Sequence, residues 1–153
     1  MIQEANFVSN VENMQQMLYR LSVSLLHSDA DARDAVQQAL MKAWAAKERV
    51  TEDYFRPWLT RIVINECHTV LRRRKRENTL PTGEGISPPP DIDLRDALMR
   101  MPEKLRVPLL LHALEGFTME EISKSLKLPV STVKGRLRRA RQALHNALYE
   151  KEV

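Results

Sequence analysis

Cysteine is nearly absent from this sequence: the single Cys67 excludes an internal disulfide, and no Cys/His spacing along the chain matches a zinc site. Cys67 is expected as a buried or half-buried small residue, not as a redox sensor. Glycine is scarce as well, with four residues in 153, which argues against a turn-dense all-β fold. No apolar run approaches the roughly 20 residues that cross a bilayer, and the start Met-Ile-Gln-Glu has no basic segment ahead of an apolar stretch. Neither export nor membrane insertion is expected, and a cytoplasmic location is. There is no Gly-rich phosphate loop and no Ser/His/Asp pattern, and His27, His68, His112 and His145 are scattered without ligand spacing. The chain is therefore read as not an enzyme, with no catalytic residue, no metal and no cofactor.

What is present favours helices. Hydrophobic residues at 43% and charged residues at 29% suit globular material, and the length accommodates one domain or two small helical ones. Lys and Arg exceed Asp and Glu by 24 to 20, so the net charge of +4 is modest and its placement matters more than its sum. Arg72, Arg73, Arg74, Lys75 and Arg76 form one block. Lys134, Arg136, Arg138, Arg139 and Arg141 form another, with no acid between them. Two basic blocks far apart in sequence suggest two contacts with a polyanion.

Turn formers crowd the stretch NTLPTGEGISPPPD, where Pro88, Pro89 and Pro90 favour extended geometry. A linker over 77–91 therefore divides the chain into a first domain, 1–76, and a second, 92–153. In the first, Val11, Met14, Leu18, Leu21, Leu25 and Leu26 recur at helical spacing up to about Ser28. Ser28 or Asp29 then caps a helix whose buried stripe is Ala32, Val36, Ala39, Leu40 and Ala43, flanked by Trp44. A third helix is predicted from Asp53 to Arg76, with Pro57 in its first turn. In the second domain a short helix carries Leu94, Ala97, Leu98 and Met101. The next opens at Pro102, buries Leu105, Leu109, Leu110 and Leu114, and ends at Gly116. Thr118 and Glu121 have capping-box spacing ahead of a helix to Lys127, Leu128-Pro129 breaks it, and a last helix runs from Val130 to Tyr149.

Two helices joined by a short turn, the second strongly basic, have the layout of a helix-turn-helix. At about 100° per residue Val133, Leu137, Ala140 and Leu144 share one side of the last helix, while Ser131, Gly135, Arg138 and Gln142 lie opposite, flanked by Lys134 and Arg139. Glycine inside a helix costs about 1 kcal/mol, so close approach of a ligand at Gly135 is the expected compensation. Arg138 has the chemistry to reach a guanine edge or a phosphate, and Lys134 and Arg139 are expected as phosphate contacts. An ordinary solvated basic face would show the same residues, and the capped helix and turn in front of it weigh against that alternative.

The segment EGFTMEEISKSLKLPVSTVKGRLRRARQAL resembles the fourth conserved region of sigma factors. In that family the module binds the minus-thirty-five promoter element, which implies DNA contacts from Ser131, Thr132, Lys134, Gly135, Arg138, Arg139 and Gln142. DADARDAVQQALMKAW resembles the part of region two that docks on the clamp coiled coil of RNA polymerase, and FRPWLTRIVINECHTVLRRRKR resembles the part that opens and reads the minus-ten element. The resemblance implies polymerase contacts from Asp31, Asp34, Gln37, Gln38 and Met41. It implies minus-ten contacts from Lys42, Val50, Arg61, Asn65, Arg72, Arg73, Arg74, Lys75 and Arg76, with Asn65 near a pocket for a flipped base.

The chain is thus similar to an extracytoplasmic-function sigma factor of the sigma-70 family: all-α, two small helical bundles on a flexible linker, the second containing a helix-turn-helix. The implied partners are core RNA polymerase, through its clamp coiled coil and flap, promoter DNA, and an anti-sigma factor. There is no room between the domains for the globular third region of housekeeping relatives, and no acidic extension precedes Phe7. Three departures stand out. The loop KERVTED offers Val50 where many relatives carry an aromatic residue, Arg33 stands where an acid is frequent, and Gln38 replaces a frequent glutamate. Two other readings remain open at this point: a stand-alone helix-turn-helix regulator that binds operators without polymerase, and a degenerate sigma-like interaction protein.

Overall fold

In the computed structural model the described residues are 1–78 and 92–149, and their regular elements are all helical. They belong to two compact units. The linker expected over 77–91 lies outside the described residues except at its start. There Glu77 still belongs to the preceding helix, and Asn78 caps it in the left-handed conformation (φ 55°).

The first unit contains α1 (Glu4–Leu26), α2 (Asp29–Ala45), two single 3₁₀ turns at Lys47–Arg49 and Glu52–Tyr54, and α3 (Phe55–Glu77). α1 buries Met14, Leu18, Leu21, Leu25 and Leu26 as its periodicity predicts, adds Phe7 and Met17 to that face, and leaves Val11 half-buried. The chain turns at His27, in the left-handed conformation, and restarts at once because the Ser28 hydroxyl accepts the Asp31 amide hydrogen at 3.2 Å. α2 buries mainly small residues, Ala32, Ala35, Val36, Ala39 and Ala43, which lets it lie close against its neighbours. α3 begins two residues later than predicted, because Glu52–Tyr54 forms the tighter 3₁₀ turn before Phe55. Phe7, Trp44, Phe55 and Trp58 pack edge-on or tilted with centroids 5.1 to 5.8 Å apart, which joins the start of α1 to the end of α2 and the start of α3.

The second unit contains α4 (Ile92–Arg100), α5 (Glu103–Leu109), a π turn at Leu110–Leu114, α6 (Met119–Leu126) and α7 (Val130–Tyr149). Met101, Leu109 and Ala140 form a core cluster against which Leu98, Leu105, Ala143 and Leu144 pack. One expectation fails here. Leu114 was placed in the core, yet it is 67% exposed, and Leu111 and Phe117 are fully buried instead. Pro108 gives the α5 ladder no N–H, and the following turn widens to π geometry, which shifts the helical phase at Leu114 away from that of a regular α-helix.

Arg106 is buried in this unit. Its Nη1 donates to the Met101 carbonyl at 2.8 Å and, more weakly, to that of Met99 at 3.5 Å, closing the C-terminal end of α4. Burial holds its pKa below the ordinary arginine value, and the Glu103 charge partly opposes that shift. α6 opens with a complete capping box: Thr118 Oγ1 accepts the Glu121 N–H at 3.0 Å and Glu121 Oε1 accepts the Thr118 N–H at 3.1 Å. Gly116, with φ 70°, makes the turn before it.

Candidate nucleic-acid interfaces

α6, the turn through Lys127 to Pro129, and α7 build the first surface. α6 stops at Lys127, which takes the left-handed conformation, and the Leu128 N–H then bonds the Ser123 carbonyl at 3.0 Å. Pro129 cannot extend α6, but its carbonyl accepts the Val133 N–H at 3.1 Å and so starts α7. The inward side of α7 is Val133, Leu137 and Ala140, all fully buried. Ser131, Lys134, Arg138, Arg139 and Gln142 are exposed, and Thr132 and Gly135 are half-buried. No ion pair joins Lys134, Arg138 or Arg139 to another described residue, while Gln142 donates to Asn146 at 2.9 Å along the same helix. At Gly135 an added β-carbon would meet only the Arg139 Nη1 at 3.6 Å, an ordinary contact, so the surrounding side chains do not require glycine there. α7 thus presents a backbone-level notch in a cationic face, a shape suited to a polyanion lying close to the helix.

α3 carries the second surface, and here the structure divides residues that the sequence groups together. Asn65, Arg72, Arg73, Lys75 and Arg76 are exposed and Arg61 is half-buried. Arg74 is not part of that face. It is 9% exposed, with Nη1 donating to the Leu26 carbonyl at 2.7 Å and Nη2 donating to Asp31 Oδ2 at 2.5 Å. One guanidinium therefore ties the last turn of α3 to the end of α1 and the start of α2, because its planar fork fits a carbonyl and a carboxylate at once. The expectation that Arg74 contacts DNA is corrected, and Asp31, expected to contact the polymerase, is half-buried against it. Lys42 is exposed but ion-paired with the buried Glu66 next to Asn65. Val50 is 1% exposed, so its side chain belongs to the core and is not offered to a base. Glu48, Arg49, Thr51, Glu52 and Asp53 are the exposed residues of that loop.

A third surface lies on α2, where Asp34, Gln37, Gln38 and Met41 are exposed, Met41 at 60%. Beside it an open groove between α1 and α2 has Val36, Leu40 and Tyr19 among its lining residues together with Gln15, Gln16 and Gln37. Arg33 lies over the Tyr19 ring, 5.9 Å from its centroid, and pairs with Asp29 at 3.4 Å, while the Tyr19 hydroxyl donates to the same carboxylate. The cation in this unusual position is thereby partly neutralised within the chain itself. Cys67 is fully buried. Among the described residues no group of three or more His, Cys, Asp or Glu side chains is placed to hold a metal, and no helix is long and apolar enough to cross a membrane.

Comparison with known proteins assigns both units. Residues 11–77 match the model of sigma-70 region 2, and residues 91–144 match that of sigma-70, region 4. The chain is 32% identical to the RNA polymerase sigma-H factor of Pseudomonas aeruginosa over 88% of its own length and 81% of that protein. It is also 32% identical to the ECF RNA polymerase sigma-E factor of Escherichia coli, over 88% and 84%. Among solved structures it resembles the sigma factor RpoE of Bartonella quintana, crystallised with the anti-sigma factor NepR, with a TM-score of 0.81, 27% identity, and coverage of 93% and 96%. CnrH, solved in complex with the cytosolic domain of CnrY, is similar at a TM-score of 0.71 and 25% identity, over 93% and 86%. The chain belongs to the sigma-70 family of RNA polymerase sigma factors, in its extracytoplasmic-function group, and is a transcription initiation factor, not an enzyme.

Proposed function

We propose that α7 enters the major groove of the minus-thirty-five element while α3 and the loop before it read the minus-ten element, with α2 seated on the clamp coiled coil of the polymerase. The observation that carries this reading is the outward face of α7, where Lys134, Arg138 and Arg139 are exposed around Gly135 on a capped helix-turn-helix. Arg138 is placed to read a base edge, with Ser131, Thr132, Lys134, Arg139 and Gln142 fixing the helix on the backbone and groove. Asn65 presents both a donor and an acceptor to an extruded minus-ten base, with Arg61 and Lys42 near it and Arg72, Arg73, Lys75 and Arg76 holding the strand. Asp34, Gln37, Gln38 and Met41 make the docking face, in which Met adapts to the partner surface and the acid meets basic residues.

The division of labour is 1–76 for docking, minus-ten recognition and melting, 77–91 for the linker, and 92–153 for minus-thirty-five recognition and the flap. Once polymerase holds both units, the second DNA contact becomes effectively intramolecular, so specificity emerges from two weak contacts. The likeness to RpoE, solved with the anti-sigma factor NepR, supports an anti-sigma partner, one that would cover the polymerase-facing surfaces in the cytoplasm. The test is run-off transcription from a promoter library with core polymerase, with and without this chain. Transcripts that need the chain and share two spaced upstream elements are expected. Their absence, with specific duplex binding by the chain alone, would favour a stand-alone regulator.

A further inference from the structure

The residues before and at the start of α1 do more than begin a helix. The Ile2 N–H donates to the Val50 carbonyl at 3.0 Å, and both side chains are buried, Ile2 at 2% and Val50 at 1% exposure. Asn6 Nδ2 donates to Glu52 Oε2 at 3.3 Å, and Glu4 lies 3.9 Å from the Lys47 ammonium. That ammonium stacks on Trp44, 4.1 Å from the ring centroid, and the other neighbour of Trp44 is Phe7, whose ring also meets Phe55. Within the stretch from Ile2 to Phe7, four residues thus grip the loop between α2 and α3 at Lys47, Val50 and Glu52 and at both of its ends.

The loop has little else to fix it. It consists of two single 3₁₀ turns joined at Val50 and Thr51, which are extended, and Glu48, Arg49, Thr51, Glu52 and Asp53 are exposed. Such a loop, with five exposed side chains and short turns, takes several conformations unless something packs against its one buried residue. Ile2 supplies a backbone hydrogen bond to that residue, and its own side chain is buried as Val50's is.

We infer that Ile2, with Asn6 and Glu4, is a positioning strap for the 47–53 loop, setting where Arg49 and Thr51 stand relative to the minus-ten base they flank. The inference rests on the proposed role of this loop in minus-ten recognition. Ile2 itself touches no DNA; its effect is on the selectivity of the loop, because a loop that samples several conformations spreads its contacts over wrong bases as well as right ones.

The experiment compares base preference at every minus-ten and minus-thirty-five position, in run-off transcription with core polymerase, for the unaltered chain and for Ile2→Ala, Ile2→Val, Asn6→Ala, Arg49→Ala and Thr51→Ala. Ile2→Ala is expected to weaken discrimination about fivefold or more at the minus-ten position that Arg49→Ala or Thr51→Ala also alters, within the range a single base contact supplies. Ile2→Val should keep the preference, and all minus-thirty-five preferences should stay. Asn6→Ala should shift the same position in the same direction by a smaller factor, and it carries the test should Ile2→Ala not fold. If the loop substitutions change the preference while Ile2→Ala and Asn6→Ala lower all minus-ten variants equally or change nothing, the strap is overturned and the loop reading stands. If the loop substitutions leave the preference intact, the loop reading itself falls and the strap falls with it.

Discussion

The basic blocks of α3 and α7 look alike in sequence, but in α3 one cation, Arg74, is turned inward while its neighbours stay exposed. In α7 the cations Lys134, Arg138 and Arg139 point away from a stripe of buried Val133, Leu137 and Ala140, and no other described residue neutralises them. In the first unit, Arg74 is consumed by the Leu26 carbonyl and Asp31, Lys42 by Glu66, and Lys47 by Trp44 and Glu4. A run of arginines is therefore not one feature. Burial separates the cation that holds helices together from those that remain available to a polyanion, and the cost of burying a guanidinium is met only where acceptors wait for it.

The inward and outward cations differ most at Arg74 and its neighbour Arg73. Arg74→Ala should destabilise the first unit by about 3 kcal/mol, since it leaves Asp31 and the end of α1 without their partner, whereas Arg73→Ala should change stability by less than about 0.5 kcal/mol. Amide hydrogen exchange of α1 to α3, read separately from α4 to α7, measures both. Equal effects from the two substitutions would erase the distinction.

In the second unit, Thr118→Ala removes one half of the α6 capping box and should cost about 1 kcal/mol, seen as faster exchange in α6. Gly135→Ala should act in the opposite direction on stability, raising that of α7 by about 1 kcal/mol because the added methyl meets only the Arg139 guanidinium at contact distance. The same substitution should weaken minus-thirty-five binding by holoenzyme, which a competition assay on promoter duplexes reads. A stabilised α7 with unchanged DNA affinity would remove Gly135 from the interface. Lys134→Ala should have the smallest effect on folding, within about 0.5 kcal/mol, yet lower the salt dependence of promoter binding by a slope of about 1, as expected for the loss of one phosphate contact.

The helices and the face of α7 were legible in the sequence because they rest on local periodicity. The spacing of Val133, Leu137 and Ala140, the Thr118 to Glu121 box and the Ser28 cap each act within a turn or two, and each is found where its pattern predicts. Leu114 was misplaced because one π turn after Pro108 changes the phase that the periodicity assumes. Arg74 and Val50 were misread for a different reason. The partners of Arg74 lie 43 and 48 residues away, and the Val50 carbonyl is bonded by the Ile2 N–H, far off in sequence. Nothing local marks such residues as internal, and the resemblance to relatives identified the loop and the block without saying which side chains face inward.

Whether the two faces serve two promoter elements is decided by transcription by core polymerase from a promoter library randomised at both elements, comparing the chain with its Arg138→Ala and Asn65→Ala forms. Arg138→Ala should relax base preference only within the minus-thirty-five element and Asn65→Ala only within the minus-ten element, by about 1–3 kcal/mol at the affected position. If both substitutions altered the same element, or lowered all promoters uniformly, the assignment of the two faces to two elements would be wrong.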